Sequence, residues 1–181
     1  MNKVFLLAFT LSVSICFGQQ SIYKVFKEGM TKEEVSSAFE ANKADLLNIS
    51  FNKNIAWDIA INQFKYENNQ LKVVCLIPSG MGNGFNYIKT VTQLKQSKDF
   101  LIDLGYQVKY ENEYWNRPQT FVNQNYAYGL VLSGPKQENY VNLYTYKDKG
   151  NYIPVLYIFP FSYKNKHFTN NENAKVSESG F

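Results

Sequence analysis

Hydrophobic and polar residues repeat with two different periods along this 181-residue chain, and the switches between them mark its elements. Val35, Ala38 and Phe39 recur at helical spacing behind Thr31-Lys32-Glu33-Glu34. That tetrad fits a capping box, in which an N-cap hydroxyl and a carboxylate three residues on satisfy free N–H groups of the first turn. A short helix running to about Lys43 is predicted. Ile88, Val91, Leu94, Leu101, Ile102 and Leu104 recur in the same way and stop at Gly105, a natural residue for the left-handed turn that closes a helix. This second helix, of about 18 residues, is the longest element expected.

Alternation by twos governs most of the rest. Glu67-Asn68-Asn69-Gln70 suits a two-residue hairpin, because Asn tolerates positive φ. Pairing across that turn sets Tyr66 opposite Leu71 and Phe64 opposite Val73. Ile55, Trp57, Ile59 and Ile61 have the other parity, so a one-residue bulge at Asn62-Gln63 is predicted. It pairs Ile61 with Cys75 and Ile59 with Ile77, and turns Cys75 toward the helices. Four more strands are expected over 106–110, 126–132, 140–146 and 153–161, with turns at Ser133-Gly134-Pro135 and Lys149-Gly150. The order α-β-β-α-β-β-β-β predicts an α+β domain, two helices packed on one mostly antiparallel sheet, over residues 19–163. Residues 164–181 are polar and Asn/Ser-rich and read as a frayed tail.

The N-terminus reads as an address. Lys3 precedes a mostly apolar run from Val4 to Phe17, and Cys16 and Gly18 place small residues at −3 and −1 of a cut before Gln19. Residues 1–18 are therefore expected to be a secretory signal peptide, with the mature protein periplasmic or extracellular. Lipidation at Cys16 is the rival reading, but Ile15 stands where that processing wants a small residue. Cleavage takes Lys3 from the 19 basic residues and nothing from the 15 acidic ones, leaving a formal +3. It also leaves Cys75 as the one mature cysteine, so no internal disulfide is expected. No later apolar run is long enough to span a bilayer.

Composition narrows the function. The net charge of +4 on the full chain is small and its lysines are scattered, which argues against nucleic acid as a partner. Gly80-Met81-Gly82-Asn83-Gly84 sits between a strand and a helix, where a phosphate loop would lie, but it lacks the Gly-Lys-Ser/Thr that such chemistry needs. It reads as a flexible loop. His167 is the single histidine and Cys75 is core-facing, so neither a His-based zinc site nor a Cys–His nucleophile has its parts. No cofactor is implied. Glu111 and Glu113 would share a strand face at about 7 Å, near the spacing of glycosidase carboxylates, although solvated charges are the plainer reading. Asp58, opposite in facing to Trp57 and Ile59, also reads as a solvated charge.

The aromatics say more. The Lys149-Gly150 hairpin places Val141, Leu143, Leu156 and Ile158 on one face and Tyr140, Tyr144, Tyr146, Tyr157 and Phe159 on the other. Either the strands are buried on both sides, or one side is an aromatic wall suited to binding. Tyr114 and Trp115, in Glu113-Tyr114-Trp115-Asn116-Arg117-Pro118, add an aromatic loop. The expected function is non-catalytic binding of an envelope protein or peptide through Tyr114, Trp115, Tyr140, Tyr144 and Tyr146. The alternative is a glycan-binding protein, or a glycan hydrolase using Glu111 or Glu113.

Gly29-Met30-Thr31-Lys32-Glu33-Glu34-Val35 resembles the GMT-x-x-x-V helix start of small bacterial envelope proteins of the SmpA/OmlA type. Helix-then-hairpin is also similar to the units of the beta-lactamase-inhibitor-protein-like fold. The resemblance implies an envelope protein that works by contact. The Leu-Gly-x-Pro usual after that helix start is absent here, as is a lipobox.

Overall fold

The structure is a computed structural model that describes residues 20–111, 115–117 and 129–163. The expected signal peptide, the tail, and the loop residues Glu113 and Tyr114 lie outside the described residues.

The chain opens with a small hairpin, β1 (Ser21–Tyr23) and β2 (Phe26–Lys27), turned at Lys24 with φ of 50°. Its Ile22 and Phe26 are buried, and Phe26 meets Phe64 edge-on at 5.0 Å. Helix α1 (Lys32–Ala41) follows with the expected capping box. Thr31 Oγ1 accepts from the Glu34 N–H at 3.2 Å, and Glu34 Oε2 accepts from the Thr31 N–H at 2.7 Å. A one-turn helix, α2 (Lys43–Leu46), leads to β3 (Ile49–Asn52) and β4 (Ile55–Ile59).

After β4 the chain makes a 3₁₀ turn over Ile61–Gln63, then β5 (Lys65–Glu67) and β6 (Gln70–Pro78). Asn68 and Asn69 both have positive φ, 52° and 60°, as the two-residue turn requires. Tyr66 lies opposite Leu71 as expected, but Lys65 rather than Phe64 lies opposite Val73. The predicted bulge is thus corrected to a full turn. It removes three residues from the strand, and Ile59 pairs with Leu76 instead of Ile77. A one-residue slip reverses every side chain. Cys75 is fully buried, yet it pairs with Tyr157 on the face away from the helices, not toward them.

Helix α3 (Tyr87–Asp103) is capped by Asn86, whose side chain accepts from the Lys89 N–H at 2.9 Å, and closes at Gly105 with φ of 89°. It packs Leu94 and Leu101 into the core, and Ser97 Oγ accepts the buried Trp57 indole N–H at 3.1 Å. Strands β7 (Gln107–Glu111), β8 (Leu130–Ser133), β9 (Asn139–Asp148) and β10 (Asn151–Pro160) complete the main sheet. Its order is β3-β4-β6-β10-β9-β8-β7 with β5 also beside β6, and every pairing is antiparallel.

The class is therefore α+β, with three α-helices among the described residues. Among the described residues the order is β-β-α-α-β-β-β-β-α-β-β-β-β rather than the expected one. The first hairpin, α2 and β3 are too short to impose a readable period, and β5 is split from β4 by the turn at Ile61–Gln63. No described helix is long and apolar enough to cross a membrane.

Candidate functional site

The β9–β10 hairpin turns at Lys149 and Gly150, with φ of 46° and 88°, and pairs without a slip from Asn151↔Asp148 to Pro160↔Asn139. Register fixes its faces. Val141, Leu143, Leu156 and Ile158 lie toward the helices in line with Val74, Leu76, Leu130 and Leu132, all buried. Tyr140, Asn142, Tyr144 and Tyr146 of β9 lie on the other face, opposite Phe159, Tyr157, Val155 and Ile153 of β10.

That second face has two parts. At one end Tyr140 and Phe159 are buried, because the chain beyond β10 folds back over them. Phe161 stacks on Tyr140 with centroids 5.0 Å apart, and Tyr163 stacks on Phe159 at 5.4 Å. Ser162 between them donates its hydroxyl to Glu28 Oε2 at 2.9 Å, and Glu28 also pairs with Lys72 at 3.0 Å. At the other end Tyr144, Tyr146 and Tyr157 are half-buried. Tyr144 and Tyr146 stack side by side, centroids 6.4 Å apart and planes 27° from parallel.

Next to the Tyr140–Phe159 end, one row crosses four strands through Val131, Asn142, Tyr157 and Cys75. Burial pushes the Cys75 thiol from 9.0 up to about 12, slightly offset by Lys65. Burial likewise raises Tyr157, Tyr144 and Tyr146, and the neighbouring Cys75 adds to the rise at Tyr157 and Tyr146. At neutral pH these groups are uncharged, and the phenols are available as both donors and acceptors. Asn142 is 1% exposed, and its Oδ1 has no hydrogen-bond partner among the described residues.

No protein-family model matches the chain, and no curated protein or solved structure is detectably similar to it.

The structure separates the expected site residues. Tyr144 and Tyr146 share one surface, while Tyr140 is corrected from a wall residue to a buried one under Phe161. Trp115 is also buried, at 2% exposure, and its indole N–H donates to Glu111 Oε1. The same oxygen takes Lys98 Nζ at 2.6 Å, and Lys98 sits 5.7 Å from the Trp115 ring centroid. Glu111 and Trp115 thus brace β7 against α3 rather than line the tyrosine surface. Asp58 is corrected from a solvated charge to a tie, since its Oδ1 accepts from the Asn48 N–H at 2.7 Å and Ser79 Oγ at 2.6 Å.

The Gly-rich loop is pinned at its Gly84–Phe85 end. Phe85 and Tyr152 exchange both backbone hydrogen bonds, at 2.8 and 2.9 Å, and a Cβ on Gly84 would lie 2.7 Å from that of Asn151. Among the described residues no three His, Cys, Asp or Glu side chains gather as a metal would require.

Three contributors escaped the sequence reading. Asn142 interrupts an otherwise aromatic stripe, Tyr140-x-Asn142-x-Tyr144-x-Tyr146, and that interruption was the available signal. Phe161 and Tyr163 gave none, because their role depends on a return over the sheet.

Proposed function

We propose that this is an exported, non-catalytic protein that binds another polypeptide through the part of the sheet face carrying Tyr144, Tyr146 and Tyr157. The observation that carries the reading is the division of one aromatic face. Its Tyr140 end is filled by the chain itself, while Tyr146 and Tyr157 keep part of their rings at the surface. Tyrosine suits such a role: large contact area, a hydroxyl, and little side-chain entropy to lose. The ten-residue strands β9 and β10 hold the rings on a rigid base.

The ring geometry favours a polypeptide over a glycan. A sugar stacks on an open ring face, and Tyr144 and Tyr146 each turn one face to the other. Tyr146 and Tyr157 keep part of their rings at the surface, and ring edges and phenol hydroxyls suit side chains and backbone amides. The resemblance at Gly29 to Val35 implies the same class, an envelope protein that acts by contact.

The test is a photo-reactive phenylalanine at position 146 in the exporting host, against the same group at Lys95, an exposed position on α3. A discrete polypeptide adduct at 146, absent at 95 and suppressed by excess unmodified protein, is expected. No adduct at 146, or equal labelling at both positions, refutes the reading.

A further inference from the structure

The face that carries the proposed contact surface already holds one polypeptide segment, and that segment is this chain's own. Phe161 lies on Tyr140 with planes 13° apart, Tyr163 lies on Phe159 with planes 26° apart, and Ser162 between them places a hydroxyl on Glu28 Oε2. An aromatic-X-aromatic turn thus occupies the first row of the face through two ring stacks and one central donor.

The next row offers one ring and one polar group, and Tyr146 lies two rows beyond it on the same face. Tyr157 has a half-buried ring, and Asn142 across from it carries an acceptor oxygen, the kind of group that Glu28 offers to Ser162. That oxygen is buried and without a partner among the described residues. A buried acceptor left unpaired opposes folding, and an apolar residue at this strand position would avoid the cost. Its presence among tyrosines is explained if a donor arrives from outside.

We infer that Asn142, Tyr146 and Tyr157 take a second aromatic-X-aromatic segment, supplied by a partner polypeptide, whose central donor bonds to Asn142 Oδ1. The inference rests on the reading of the tyrosine face as the contact surface, and adds the partner's chemistry. Tyr157 lies directly across from Asn142 in the β9–β10 ladder, and the inference requires its ring to turn aside, because Asn142 is buried. Rotation of a partly exposed ring needs no movement of the sheet.

The probe is the acetylated and amidated hexapeptide Pro-Phe-Ser-Tyr-Lys-Asn, the sequence of residues 160–165. It is titrated into the isotope-labelled full chain and followed by NMR shifts. Saturable shifts are expected at the Asn142 side-chain amide, Tyr146 and Tyr157. Replacing the peptide's serine by alanine should weaken binding roughly three- to tenfold, the size of one hydrogen bond, on the wild-type protein. On Asn142→Ala the same peptide change should make no difference.

Because the decisive alteration is in the peptide, an unstable protein variant cannot imitate the result. An equal serine effect on both proteins overturns the inference, as does the absence of saturable shifts. Shifts confined to Tyr140, Phe159 and Phe161 overturn it too, since they report exchange with the chain's own segment. A peptide carrying leucine at both aromatic positions that binds as well as the parent also overturns it. None of these outcomes touches the contact-surface reading, which is judged by cross-linking at position 146.

Discussion

Tyr140 lies flat against Phe161, centroids 5.0 Å apart and planes 13° from parallel, on the same face of β9 as the half-buried Tyr146. The two tyrosines should therefore behave differently when truncated. Tyr140→Ala leaves a cavity under Phe161 and should cost about 3–5 kcal/mol of stability. Tyr146→Ala removes a side chain already partly in solvent and should cost about 1 kcal/mol. Urea denaturation of the two variants checks the difference, and equal losses would mean the face is packed along its whole length.

Alkali should destabilise the fold. Burial raises the Cys75 thiol from 9.0 to about 12, and burial, aided by Tyr106, raises the Tyr23 phenol from 10.0 to about 12. Both groups keep their protons longer in the folded chain than in the unfolded one. Their contribution is fully present below about pH 9 and is lost as pH rises toward 12. The urea midpoint should therefore fall between pH 8.5 and 11. Cys75→Ala should flatten the early part of that fall, where the unfolded thiol ionises first.

The same burial should hide Cys75 from reagents. A thiol reagent at pH 8 should label the protein only after denaturation, since the thiolate is the reactive form. Rapid labelling of the native chain would show that Tyr157 does not shield the thiol.

Gly84 and Gly82 should part company although both have positive φ. Gly84→Ala combines φ of 115° with a contact of 2.7 Å to the Asn151 Cβ and should lower stability by about 2–3 kcal/mol. Gly82→Ala meets open space and should cost only the left-handed backbone term, about 1–2 kcal/mol. Thermal melts of the two variants read the difference directly.

Asp58 illustrates where a sequence stops being legible. Alternation correctly put it on the face away from Trp57, but not the Asn48 N–H and Ser79 hydroxyl that converge on its carboxylate. Asp58→Ala should cost about 1.5–3 kcal/mol, measured by urea denaturation, because hydrogen bonds to a charged acceptor are lost. The features that could be read were local ones. The Thr31–Glu34 box, the Asn68-Asn69 turn and the faces of β9 and β10 each depend on a few adjacent residues. The β6 register could not be read, because three residues leave the strand at Ile61–Gln63 where parity alone suggested one. The burial of Tyr140 could not be read either, because Phe161 reaches it only after the chain reverses beyond β10.

The most direct test of the contact surface is competition by a folded variant. Protein carrying the photo-reactive group at position 146 is cross-linked to its partner while unlabelled competitor is added. Wild-type competitor should suppress the adduct. The Tyr157→Ala protein, if its melting temperature shows it folded, should need roughly five- to 150-fold more, as expected for a residue contributing about 1–3 kcal/mol to an interface. Equal competition by the two proteins would contradict the account, leaving the tyrosine face a packed sheet surface with no part in binding.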